Sequence, residues 1–141
     1  MQQRISRTAR VLGASLVAVA ALVAASCGSE PAGERHEQRT NGGLYTVSWA
    51  PVPSPIPVAE LFELDVTARA ADGGGAETLS LVVIMPAHDH GMQTKHRVEP
   101  AGGGRFRITG MKMHMRGLWE LHFRAGGRAG EDLVTFPVEL R

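Results

Sequence analysis

Hydrophobic and polar positions alternate at period two over much of the chain. Phe62, Leu64, Val66 and Ala68 alternate with Glu63, Asp65 and Thr67. Trp119, Leu121 and Phe123 alternate with Glu120, His122 and Arg124, and Val134, Phe136, Val138 and Leu140 form a third set. This period predicts strands with one buried and one wet face. Leu79 to Met85 is a nearly continuous apolar run, the pattern of a more central strand. Glycine-rich turns separate the runs at Asp72–Gly75, Ala101–Gly104 and Gly126-Gly127. Across Pro51 to Pro57 every second residue is proline, so alternate N–H donors are missing, and the segment is expected to cross between strands in a polyproline-like form. No window past the N-terminal stretch has helical periodicity, and there is no internal repeat. The expected fold is all-β, an immunoglobulin-like antiparallel sandwich of about seven strands occupying residues 44–141.

The N-terminus reads differently. Arg4, Arg7 and Arg10 precede a run of Ala, Val and Leu from Val11 to Ala25, the n-region and h-region of a secretory signal. Ala24-Ala25-Ser26-Cys27 follows, and Cys27 is the chain's only cysteine. Small residues before a lone cysteine at that position resemble a bacterial lipobox, although Ala24 stands where leucine is usual. The expectation is a signal peptide over 1–26 and lipidation of Cys27. A polar, flexible tether then runs from residue 27 to residue 43, too poor in apolar residues to fold. The domain is thus expected on the periplasmic side of the cell envelope, held to the membrane by its lipid. Gly28 after the cysteine favours the outer over the inner membrane.

These assignments change what the composition allows. Of 15 basic residues, three are the signal arginines, which leaves 12 against 14 acidic residues in the processed chain. No Lys/Arg-rich run remains and aromatics are few, so nucleic acid is not an expected partner. A single, lipidated cysteine leaves no disulfide and no thiolate for a metal or a nucleophile. There is no Ser/His/Asp arrangement at a readable spacing and no evident carboxylate pair lining a cleft, so the chain is not expected to be an enzyme.

The chemistry is concentrated in one window. After the initiator, every methionine lies between positions 85 and 115: Met85, Met92, Met111, Met113 and Met115. His88, His90, His96, His114 and His122 fall in nearly the same region. If Met85–Met92 is extended, His88, His90 and Met92 project from one face at successive spacings of roughly 7 Å. Pro86 ends the preceding strand and Gly91 lets the backbone turn. For Met111–Met115 two phases are open. Strict alternation from Phe106 and Ile108 puts Lys112 and His114 inside. A bulge at Gly110 puts Met111 and Met113 inside as core filler and leaves His114 and Met115 at the rim. Met85 is expected in the core, His122 on a wet face, His36 in the tether, and His96 between two cations that disfavour a metal. Asp89 is expected to be a solvated loop residue, with orientation of a histidine ring as the alternative role. His88, His90, Met92, His114 and Met115 are the metal-ligand candidates. Imidazole with thioether, and no thiolate, is the donor set that selects copper, with the thioethers favouring Cu(I).

The pattern Met85-Pro86-x-His88-x-His90-Gly91-Met92, then Gly104-x-Phe106, Gly110-Met111 and His114-Met115-x-Gly117-x-Trp119-Glu120-Leu121, resembles the YtkA-like family of exported bacterial domains. FixH-type accessory proteins of cytochrome oxidase assembly are more distant relatives of that family. The resemblance spans nearly all of Leu44–Arg141, with Arg116 where proline is common. It implies a small β-sandwich and an association with periplasmic copper handling and respiratory oxidase assembly, with a copper-receiving envelope protein as partner. The competing expectation is a metal-independent interaction module whose His/Met loop is a contact surface, a use to which adaptable methionines are suited.

Overall fold

The computed structural model describes residues 33–141. The signal segment, Cys27 and the first part of the expected tether lie outside the described residues. Among the described residues nine strands are formed: β1 His36–Arg39, β2 Tyr45–Val52, β3 Phe62–Ala70, β4 Thr78–Met85, β5 His90–Gly91, β6 Arg97–Gly102, β7 Arg105–Met111, β8 Gly117–Gly127 and β9 Gly130–Leu140. They build two antiparallel sheets, ordered β1-β2-β3-β7-β6 and β5-β4-β8-β9. Without β1 and β5, the orders β2-β3-β7-β6 and β4-β8-β9 follow the ABED and CFG connectivity of the immunoglobulin sandwich. The expected seven strands are therefore present, with two short edge additions of four and two residues.

Alternation places the core where the sequence puts it. Phe62, Leu64, Val66 and Ala68 turn inward from β3, and Trp119, Leu121 and Phe123 turn inward from β8, each at most 2% exposed. Trp49 of β2 meets Phe136 of β9 edge-on at 5.9 Å, and Phe136 meets Phe123 edge-on at 5.8 Å, so an aromatic chain ties the sheets together. Such pairs contribute about 0.5–1.5 kcal/mol each beyond their burial.

One expectation about strands is met and two are corrected. First, β4 is an internal strand, between β5 and β8, as its apolar run predicts; Leu79, Leu81, Val83 and Met85 point inward, and Val82 is 58% exposed on the open face. Its apolar outer side marks no covering layer.

Second, the tether ends earlier than expected. His36–Arg39 pairs with Trp49–Thr46 of β2, and the His36 ring stacks on Trp49 at 4.2 Å. Backbone pairing and one ring stack hold this strand, so it has no apolar run to betray it. The turn after it is fixed from across the sandwich. Asp132 of β9 accepts from the amides of Gly42 (3.0 Å), Leu44 (3.1 Å) and Leu133 (2.8 Å). The Thr40 hydroxyl together with these amides holds the Asp132 carboxyl down to about 2. The Asn41 amide also donates to the Leu133 carbonyl of β9 at 2.7 Å.

Third, Pro51 and Val52 are in the ladder, paired with Leu64 and Glu63 of β3. Ala68 directs its N–H to Gly104 and its C=O to Ala76, away from β2. At period two the same holds for Leu64, so Pro51 opposite it faces its nitrogen to the other side, where β1 has already ended. A missing N–H leaves nothing unpaired there.

Candidate functional site

The end of the sandwich where β2, β4, β7 and β9 finish and β3 and β8 begin gathers most of the chemistry. Two segments cross it. One, Pro86–Met92, leaves β4 and returns along it. The other, Lys112–Arg116, passes from β7 in the first sheet to β8 in the second.

The first segment is not the extended run that the histidine spacing suggests. Pro86–His88 forms a 3₁₀ turn, with proline at its start and Asp89 in the left-handed region at φ 51° closing it. Asp89 is exposed and contributes its N–H to Pro86 O at 3.4 Å, so its place is in the turn. His90 then pairs with Met85, and Gly91 with Ile84. The turn folds His88 back toward His90, and their rings lie 5.7 Å apart, closer than an extended strand sets them.

The second segment takes the bulged phase. Gly110 has φ +74°, and the β3–β7 register slips between the pairs Leu64↔Ile108 and Phe62↔Met111. One extra residue restores Met111 to the inside after Phe106 and Ile108. Met111 and Met113 are fully buried core side chains, as Met85 is at 3% exposed. Met113 is also held by its backbone, since Ala59 N–H donates to its carbonyl at 2.8 Å. Two residues on, the indole Nε1–H of Trp119 donates to the Met115 carbonyl at 3.0 Å. His114 is thus carried between two pinned carbonyls.

These anchors bring the segments together. The His114 ring stacks on that of His90 with centroids 5.1 Å apart and planes 30° from parallel. His88, His90 and His114 make a row of three imidazoles. Met92 and Met115, carried by the same two segments, are half-buried against the core. His90 Nδ1 lies 3.0 Å from the Gly91 carbonyl; a proton there donates to that oxygen and leaves Nε2 as the free lone pair. His114 Nδ1 is buried with no hydrogen-bond partner. A buried ring nitrogen without a partner is costly and uncommon.

All five ligand candidates therefore lie at one end of the molecule. The remaining histidines do not join the row. His96 is half-buried just before β6. His122 is on the open face of the second sheet, with Nδ1 2.9 Å from Thr135 Oγ1 and Nε2 3.0 Å from Glu120 Oε2 but off the hydrogen-bond line. Among the described residues, no three His, Cys, Asp or Glu side chains are grouped so as to hold a metal ion. Any soft-metal site here needs the thioethers as donors along with the imidazoles. Sequence reasoning missed Trp119, whose ring stands edge-on to His90 at 5.8 Å and to His114 at 5.6 Å. Alternation identified it as an inward residue, and its place at the start of β8, just after the His114 loop, is the signal that puts it under the site.

Comparison of the chain with models of known families, with curated proteins and with solved structures gives no match. Among the described residues no helix is long and apolar enough to cross a membrane.

Proposed function

We propose that the histidine–methionine end of this sandwich binds copper, Cu(I) in preference to Cu(II). In this reading the protein is an exported lipoprotein anchored through Cys27, of YtkA-like type. It handles copper at the cell envelope or delivers it toward respiratory oxidase assembly. The observation that carries the reading is the approach of His90 and His114, two imidazoles from different segments with centroids 5.1 Å apart. Two imidazoles on one tetrahedral ion, at metal–nitrogen distances of about 2.0–2.1 Å, have centroids about 5 Å apart. Rings at this separation have only to turn about their Cβ–Cγ bonds, a soft torsion, to aim nitrogens at a shared ion. His88, at 5.7 Å from His90, lies in the same range.

The donor chemistry favours copper over zinc. Met92 and Met115 are the thioethers of the two segments that carry these histidines, and thioether with imidazole suits Cu(I), while zinc gains little from it. Nδ1 of His114 has no hydrogen-bond partner, and with the ring proton on Nε2 it offers a lone pair that coordination would satisfy. His88 is exposed, a ligand that a receiving protein reaches directly. Bound copper in such a site is cargo held for transfer.

The test is a Cu(I) competition titration against a chromogenic chelator under reducing, oxygen-free conditions, with a His88→Ala/His90→Ala variant as control. One equivalent bound by the parent, and at least a hundredfold weaker binding by the variant, is the expected result. Failure of the parent to compete refutes the copper reading and leaves an interaction surface in its place.

A further inference from the structure

We infer that Trp119 is the positioning residue of this site: one rigid side chain that sets both imidazoles and the Met115 backbone, and whose emission reports the site's occupancy. The inference rests on the copper reading above.

Three contacts converge on a single indole. Its ring meets His90 at 5.8 Å with planes 63° apart and His114 at 5.6 Å with planes 76° apart, while Nε1–H donates to Met115 O at 3.0 Å. His90 and His114 come from opposite sides of the crossing, and Trp119 is where both rest. Its own position is fixed, because it is fully buried in β8, which pairs along its length with β9.

Trp49 shows that burial alone does not require the bond to Met115. It is equally buried, yet its Nε1 has no hydrogen-bond partner. The Trp119 bond is thus a specific attachment of the loop carrying His114 and Met115. Without it, the carbonyl after His114 is free while the one before it stays bound to Ala59. The His114 ring then samples orientations that no longer face His90. Because the imidazoles touch the indole, any turn that aims their nitrogens at an ion changes the surroundings of Trp119. Trp49 rests instead against His36 and Phe136, away from the site.

Trp49 and Trp119 are the chain's two tryptophans, so single Trp→Phe variants assign emission to each. The experiment is a Cu(I) titration of the full chain, purified in detergent, as parent, Trp49→Phe and Trp119→Phe. We expect Trp49→Phe emission, which comes from Trp119, to quench and saturate at one equivalent. Emission from Trp119→Phe stays flat. Trp119→Phe keeps an aromatic ring but loses the donor, and its Cu(I) affinity is expected to fall about tenfold, with the β-sheet circular dichroism unchanged. If the parent binds Cu(I) but Trp119 emission does not respond and Trp119→Phe binds as tightly, the inference is overturned and the copper reading stands. If the parent does not bind, the copper reading falls first and takes the inference with it. Should Trp119→Phe fail to fold, the Trp49→Phe titration decides alone, with saturation supporting the role and a flat response overturning it.

Discussion

Replacing Gly110 with alanine isolates the device that sets the site's phase. Gly110 has φ +74°, and a Cβ there would lie 2.9 Å from the Lys95 carbonyl oxygen. Gly103, in the β6–β7 turn, has φ +63° with nothing within 4 Å of its Cβ position. Both variants take on the left-handed conformation, which costs an L-residue roughly 1–2 kcal/mol. Both recover about 0.4–1 kcal/mol because alanine restricts the unfolded chain. Gly103→Ala should therefore lose about 1 kcal/mol or less. Gly110→Ala must also push back a backbone carbonyl, in a stretch where Thr94 Oγ1 donates to Gly110 O at 2.8 Å. Overpacking of that kind adds about 1–3 kcal/mol, for a total of about 2–4. Urea unfolding followed by tryptophan emission measures both, and equal slopes confirm that the midpoints compare stabilities. At about 4–8 °C per kcal/mol for a domain near this size, the two melting temperatures should differ by several degrees or more. If Gly110→Ala is no less stable than Gly103→Ala, the close approach to Lys95 does not constrain the bulge and the reasoning fails.

Met111→Leu and Met113→Leu should each cost less than about 1.5 kcal/mol, and the alanine variants about 2–5, because both side chains are fully buried filler. Neither leucine variant should change Cu(I) affinity, and a tenfold loss in the competition titration would make that methionine a ligand. Asp132, held at about 2 by the Thr40 hydroxyl and the amides, has a folded value below its ordinary one near 3.9. A depressed carboxylate stabilises the fold above its unfolded value, and that contribution is lost as pH falls from about 4 through 2. Urea midpoints between pH 6 and pH 2 should therefore drop more in the parent than in Asp132→Asn, and parallel curves would refute the role.

How far the sequence reaches depends on what each feature encodes. The inward faces of β3, β8 and most of β9 are legible because burial acts residue by residue at a fixed period. The phase of Met111–Met115 is not legible, since one glycine's backbone angle reverses every position after it. The candidate ligands were legible as types in one window, but their approach was not: it depends on Pro86 starting a tight turn and on Asp89 accepting a positive φ. β1 was hidden because His36-Glu37-Gln38-Arg39 gains its place from backbone pairing and one ring stack, neither of which leaves a hydrophobic trace.

The prolines in the outer strands bear on how copies of this chain meet one another. Leu133 O accepts from Asn41, so the polar groups of Leu133 face away from β8, and at period two the Pro137 nitrogen faces the same way. By the same parity, Leu64 turns Ile108 toward β3, Val98 therefore faces outward, and Pro100 with it. Each of the two long outermost strands, β9 and β6, thus interrupts its row of outward donors with a ring, and β1 and β5 are only four and two residues long. Strands with such gaps are poor templates for adding a foreign strand. A crowded population of these domains is thereby discouraged from zipping into shared sheets along those strands, a protection against aggregation that is independent of the net charge.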